Sequence, residues 1–152
     1  MTDEPWDFGG KRDPGADDAE LLLVERAIGF ALPTTLSAMY RYSNGGWPAC
    51  ELVDIPDMEL SINKIFAPTG ENSVLLTNDR VWHDNYPDIP RWLVPFGEDD
   101  GADPNLVDLR SADGDVYLFR HDSDMLVPEQ LGVNLREFFR WFRMRPEEEY
   151  DD

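Results

Sequence analysis

The sequence predicts a single α+β domain in which a central, mostly antiparallel or mixed β-sheet is flanked by N-terminal and C-terminal helices. Helical spacing of apolar residues opens and closes the chain, whereas residues 92–124 alternate short apolar runs with acidic, glycine-containing turns. Apolar residues three or four apart favour helices, and short apolar runs bounded by turn residues favour strands. With 152 residues, of which 41% are apolar, the chain has the length and composition of about one globular domain.

The first predicted helix has a start signal and a stop signal. Asp17 or Asp18 is placed to cap its N-terminus, and Gly29 is placed to end it. The apolar stripe between them consists of Leu21, Val24 and Ile28. We therefore expect this face of the helix to be buried.

A second helix is predicted to open at Pro33, because proline is tolerated in a first turn, where its missing N–H leaves no hydrogen bond unmade. Leu36, Met39 and Tyr40 form its predicted buried stripe. The Asn-Gly-Gly sequence at 44–46 is expected to stop it.

The middle of the chain gives weaker signals. Residues 50–55 and 59–66 are interpreted as strands or extended segments separated by Pro56, and the apolar spacing over residues 71–82 predicts a third helix. The prolines that follow, Pro87 and Pro90, are expected to end this helix and lead into the central sheet.

Three strands are predicted in the central sheet, over residues 92–94, 106–109 and 116–119. Gly114, after Asp113, supplies the positive φ of a tight turn, which favours an antiparallel pair of the last two strands. The earlier connection, residues 97–105, is too polar for us to expect it to be buried.

The C-terminal part is interpreted as a connector over residues 127–132 followed by an amphipathic helix. The predicted apolar face of that helix consists of Leu135, Phe138, Phe139 and Phe142, with Arg136, Arg140 and Arg143 on its other side. We place the folded domain at residues 16–145, between a loose arm of residues 1–15, which Trp6 and Phe8 could pin to the body, and an acidic, disordered tail of residues 146–152.

The net charge of -19 is the main compositional fact about this chain. So many carboxylates exclude binding of nucleic acid or of an anionic membrane through the surface field, and they favour a basic protein partner. Residues 92–124 carry a net charge of -7, whereas residues 125–145 carry +2. Cys50 is the only cysteine, so we expect no disulfide framework, and with no apolar leader segment we expect a cytoplasmic monomer or weak homodimer.

Candidate catalytic and metal-binding patterns are incomplete. The pairs His83-Asp84 and His121-Asp122 are typical of metal-dependent phosphohydrolases, but those sites need more histidine ligands than the two in this sequence. The acidic stretch 98–105 offers oxygen ligands of the kind calcium prefers, without the spacing of an EF-hand loop. We therefore predict no catalytic residue, no metal and no cofactor, and a hydrolase stays a third hypothesis.

Several segments, in this order, resemble the SUKH superfamily, which is named partly for a fungal regulator of cell-wall synthesis. They are Glu25 with residues 28–33, the helix up to Tyr42, residues 44–46, residues 93–101, residues 106–109, residues 114–117 with His121-Asp122, and residues 134–139. The resemblance implies an α+β domain. It also implies a binding function, since many bacterial members are immunity proteins that neutralise a toxin, often a nuclease, and fungal members are signalling scaffolds.

From the charge and the resemblance together we predict a non-enzymatic immunity protein that binds a cognate basic toxin domain. A scaffold or regulatory binding module is the alternative. The predicted partner-binding residues are carboxylates at the turns of the sheet: Glu98, Asp99, Asp100, Asp103, Asp122 and Asp124. We expect an exposed loop to present Asp99, Asp100 and Asp103 together.

Overall fold

A computed structural model describes residues 14–46, 52–55, 58–62, 64–68, 74–99, 103–121, 127–140 and 142–143. The described helices and strands follow one another in the order α1 (Asp18–Ile28), α2 (Thr34–Tyr42), β1 (Leu52–Ile55), β2 (Met58–Ser61), β3 (Lys64–Ile65), α3 (Val74–Asn85), β4 (Leu93–Glu98), β5 (Pro104–Asp108), β6 (Asp115–Leu118), β7 (Glu129–Asn134), α4 (Leu135–Arg140) and β8 (Phe142–Arg143). The prediction of a single-domain α+β fold is confirmed.

The main sheet has five strands in the order β3-β4-β5-β6-β7, and every neighbouring pair is antiparallel. The chain therefore runs up and down through β4, β5, β6 and β7 without a crossover. The register between β4 and β5 shifts between Pro95 and Gly97. Proline has no N–H to donate to a ladder, so an irregularity beside Pro95 is expected in an interior strand.

A second sheet has three strands in the order β2-β1-β8 and is also antiparallel. Two sequence interpretations are corrected here. The segment predicted over residues 59–66 divides into β2 and β3, which belong to different sheets. Phe142 was predicted to lie on the last helix, but α4 ends at Arg140. Phe142 lies in β8 and pairs with Val53 of β1.

Helix α1 has the predicted caps. The Asp17 side chain accepts from the backbone N–H of Glu20 at 2.8 Å, and the Glu20 side chain accepts from the N–H of Asp17 at 3.0 Å. This reciprocal capping box satisfies two N–H groups that the helix itself cannot pair. Gly29 ends the helix with φ +90°, in the left-handed region that favours glycine.

One face of the five-stranded sheet packs against α1, α2 and α4. Leu36, Met39 and Tyr40 of α2 are fully buried there, as predicted, and so are Leu135 and Phe138 of α4. The sheet contributes alternate side chains to this core: Val94, Phe96, Val107, Val116 and Leu118. The period of two along each strand explains why these residues share one face.

The opposite face of the sheet carries a second, smaller apolar cluster beneath α3. It contains Trp82, Ile89, Leu93, Leu106 and Phe119. The Trp82 and Phe119 rings meet edge to face, with centroids 5.5 Å apart. The C-terminal part of helix α3 thus covers this second face, whereas Leu75 near its start belongs to the first cluster. The helix runs three residues past the predicted end at 82, to Asn85.

The prediction of a connector over residues 127–132 is wrong, because residues 129–134 form strand β7. Leu118 and Tyr117 of β6 pair with Glu129 and Gln130, and the ladder continues to Asn134 through a register shift. Gly132 has φ +79° in this irregular stretch. Asn134 then caps α4, since its side chain accepts from the N–H of Glu137 at 3.0 Å.

Some predictions fall on residues outside the described ranges. They concern Trp6 and Phe8 of the arm, Cys50, Pro56, and the acidic tail of residues 146–152. The predicted boundaries of the arm, domain and tail stay predictions.

Candidate functional site: the acidic end of the sheet

Two acidic connections leave the main sheet at the same end. Strand β4 ends at Glu98, and the chain returns along β5 from Pro104, whereas β6 ends at Leu118 and the chain returns along β7 from Glu129. Because β4 and β6 flank the antiparallel β5, both run in the same direction and both finish at the same end of the sheet. We call this end of the sheet, where residues 98–104 link β4 to β5 and residues 119–128 link β6 to β7 along the chain, the acidic end.

Hydrogen bonds hold the two connections together. The Asp99 carboxylate accepts from the backbone N–H of Asp103 at 3.0 Å, and the Asp99 N–H donates to the Asp103 carbonyl at 3.0 Å. The Asp103 carboxylate in turn accepts from the backbone N–H of His121 at 3.1 Å and hydrogen-bonds the His121 ring through Nδ1. The β4–β5 connection is therefore tied to His121, three residues past the end of β6.

We expected an exposed loop to present Asp103, and this prediction is wrong. Asp103 is 8% exposed, and Asn105, two residues later, is fully buried. The prediction that residues 97–105 are unburied is wrong at these two positions and at Gly97, which is buried within β4. Buried carboxylates are found where hydrogen bonds compensate their lost hydration, and His121 supplies those bonds to Asp103.

The other predicted partner-binding residues divide into two groups. Glu98, at the end of β4, and Asp99 are partly exposed. Asp100, Asp122 and Asp124 lie outside the described residues. The acidic end thus has a buried Asp103 that joins its two connections and partly exposed carboxylates beside it.

The two histidines have separate environments. His83 on α3 is 3% exposed, and its Nε2 lies 3.0 Å from the Leu93 carbonyl and 3.2 Å from an Asp79 carboxylate oxygen. His121 is mostly exposed and contacts Asp103. Within the described ranges, no group of three or more His, Cys, Asp or Glu side chains is arranged to hold a metal ion.

At the opposite end of the sheet, an arginine pairs with a buried carboxylate and stacks on a tryptophan ring. Arg110 donates from Nε and Nη2 to the two oxygens of the buried Asp108 carboxylate, at 3.2 and 3.0 Å, and its guanidinium carbon lies 3.3 Å from the centre of the Trp92 ring. The hydrogen bond to Asp108 raises the pKa of Arg110, and burial raises the pKa of the nearby Tyr117 phenol. This carboxylate is already paired, so it differs from Glu98 at the acidic end.

Sequence reasoning missed a pocket beside the acidic end, between α3 and the sheet. Its volume is about 130 Å³, and it is lined by Phe66, Asn78, Val81, Trp82, Asn85, Pro95, Glu98 and Pro104. Strict alternation along β4 would place Pro95 and Glu98 on opposite faces. The register shift between Pro95 and Gly97 explains why both line this pocket. No local sequence signal indicates it, because its walls come from α3, β4, β5 and Phe66, which are far apart in the chain.

The fold is an α+β domain built on an antiparallel sheet with helices on both faces. The model of the SMI1 / KNR4 family (SUKH-1) matches residues 15–142. The chain therefore belongs to the SMI1 / KNR4 family, and its resemblance to the SUKH superfamily is confirmed. Members are generally immunity or regulatory proteins that act without catalysis.

A comparison with curated proteins found no match. None of the helices in the described part of the chain combines the length and the apolar character needed to span a bilayer.

Proposed function

We propose that the protein is an immunity protein that binds and neutralises a cognate toxin domain, and that the acidic end of the sheet occupies a basic, phosphate-binding cleft of that toxin. The toxin class that fits best is a nuclease, because its active site is built to receive phosphates. Family membership supports a protein-binding role. We choose this surface because two acidic connections meet at the same end of the sheet.

The charge distribution supports a basic partner. The chain carries -19 overall, and residues 92–124 alone carry -7. Carboxylates attract a basic surface over several ångströms at low salt, which accelerates association, and close pairs with arginine slow dissociation. The tie between Asp103 and His121 would hold the two connections in place before the partner arrives, which lowers the entropy lost on binding.

The test uses the toxin encoded beside this gene or recovered with the protein from its host. Asp100, Asp122 and Asp124 are changed together to asparagine. We expect at least a tenfold weaker complex, a smaller dependence of affinity on salt, and reduced protection of cells. Asp103 is left unchanged, because its carboxylate is buried and its loss would disturb the fold of the connection.

A matched control removes three charges elsewhere. Asp84, Asp88 and Asp113 are exposed, and Asp113 lies in the β5–β6 turn at the opposite end of the sheet. Their joint change to asparagine should leave affinity within about twofold if local contacts decide binding. Equal losses in both triple variants would show that only net charge matters, and full protection by the first variant would place the interface elsewhere. A stable protein partner whose activity is not inhibited by this protein would favour the scaffold alternative.

A further inference from the structure

We infer that the pocket between α3 and the sheet receives one arginine side chain of the protein partner. The identity of the occupant rests on the proposed binding of a basic toxin, but the pocket's preference for arginine can be tested without that toxin. The pocket adjoins the acidic end, because Glu98 and Pro104 belong to both. A partner bound at the acidic end would therefore lie beside this pocket.

The size of the pocket fits a single side chain. Sites for small molecules and cofactors usually have volumes of about 300–1,000 Å³, whereas this pocket has about 130 Å³. A cavity of about 10–15 Å³ in this measure already holds one water molecule, so this pocket has room for the four heavy atoms of a guanidinium. The pocket is therefore too small for a nucleotide and large enough for the end of an arginine.

The electrostatics favour a cation. Among the described residues, no ion pair or hydrogen bond holds the side chain of the partly exposed Glu98. Trp82 and Asn85 belong to the last turn of α3, where the helix dipole places partial negative charge. A positive group in the pocket would interact favourably with both the carboxylate and the helix end.

The walls favour arginine over lysine. Phe66, Trp82, Pro95 and Pro104 give the pocket a mainly apolar lining, and Val81 at its side is 48% exposed. An arginine buries its methylene stem against such surfaces, and its planar head is less strongly hydrated than an ammonium group. The guanidinium can also form two parallel hydrogen bonds to one carboxylate, which an ammonium cannot. A lysine would lose more hydration free energy on entering the same space.

The experiment titrates the isotope-labelled full chain with N-acetyl-arginine N-methylamide and follows the NMR signals of the Trp82 indole and of the Val81 and Glu98 amides. We expect saturable shifts at these three positions, at least tenfold weaker binding of the neutral citrulline analogue, and weaker binding of the lysine analogue. The Glu98→Gln variant should bind the arginine probe about tenfold less tightly. Its melting temperature checks that the fold is kept.

Glu129→Gln is the matched control, since Glu129 is an exposed carboxylate on β7 that does not line the pocket. Its affinity for the probe should equal that of the unchanged chain. Equal binding of the arginine and citrulline analogues, or equal losses in the two glutamine variants, would overturn the inference. Lysine binding as tight as arginine would overturn the choice of arginine. If the chain binds the arginine probe but neutralises no toxin, the pocket inference stands and the proposed function is refuted. If the chain neutralises a toxin but does not bind the probe, the proposed function stands and the pocket inference is refuted.

Discussion

Replacing Phe138 with alanine tests how α4 joins the sheet. The Phe138 ring is fully buried and meets two other rings edge to face, Phe96 of β4 at 5.9 Å and Phe139 at 6.0 Å between centroids. A buried Phe→Ala change costs about 3–5 kcal/mol, and each aromatic pair adds about 0.5–1.5 kcal/mol beyond buried area. With two such pairs lost, we expect a cost in the upper half of that range, about 4 kcal/mol.

That loss is a large part of the roughly 5–15 kcal/mol that stabilises a typical domain. Urea unfolding should show a midpoint lowered by about 2 M if the slope is about 2 kcal/mol/M. Leu23→Ala on α1 is the control, because Leu23 is 62% exposed and its truncation should cost no more than about 0.5 kcal/mol. A cost below about 1 kcal/mol for Phe138→Ala, at an unchanged slope, would refute the packing argument.

Two further predictions concern single polar groups. The Tyr40 hydroxyl is buried without a hydrogen-bond partner among the described residues, so Tyr40→Phe should raise the free energy of unfolding by about 1–2 kcal/mol at pH 7, whereas Tyr42→Phe on the same helix should give no such gain. Burial also raises the pKa of Tyr40, so above the ordinary phenol pKa of about 10 only the unfolded chain ionises, and the free energy of unfolding falls as the pH rises. Urea unfolding of the Tyr40→Phe variant at pH 9 and 11 should therefore show a smaller alkaline loss than the unchanged chain, and equal losses would contradict this account. Replacing His121 with alanine removes the ring hydrogen bond to Asp103 and keeps the backbone one, and it should speed hydrogen exchange at the Asp103 amide with little effect on core amides in β5. Unchanged exchange would show that the His121 ring does not hold the connection.

The sequence by itself predicted the elements whose signals are local. The capping box of Asp17 and Glu20 and the glycine after α1 act within a few residues, so they can be recognised without knowing what the helix packs against. The same holds for the turn at Gly114, whose φ of +69° confirms the expected positive value. The acidic character of the two connections is likewise a property of composition.

Tertiary structure decided the features that depend on distant partners. Strand β7 has a mostly exposed, polar pattern with Gly132 inside it, and it becomes a strand because β6 offers unpaired backbone groups at the sheet edge. Asp103 is buried because His121, 18 residues away, supplies hydrogen bonds to its carboxylate. The pocket brings together α3 and two residues of β4, Pro95 and Glu98, that lie on either side of a register shift. Such features arise from contacts between elements far apart in the chain, and no short window of sequence contains both partners.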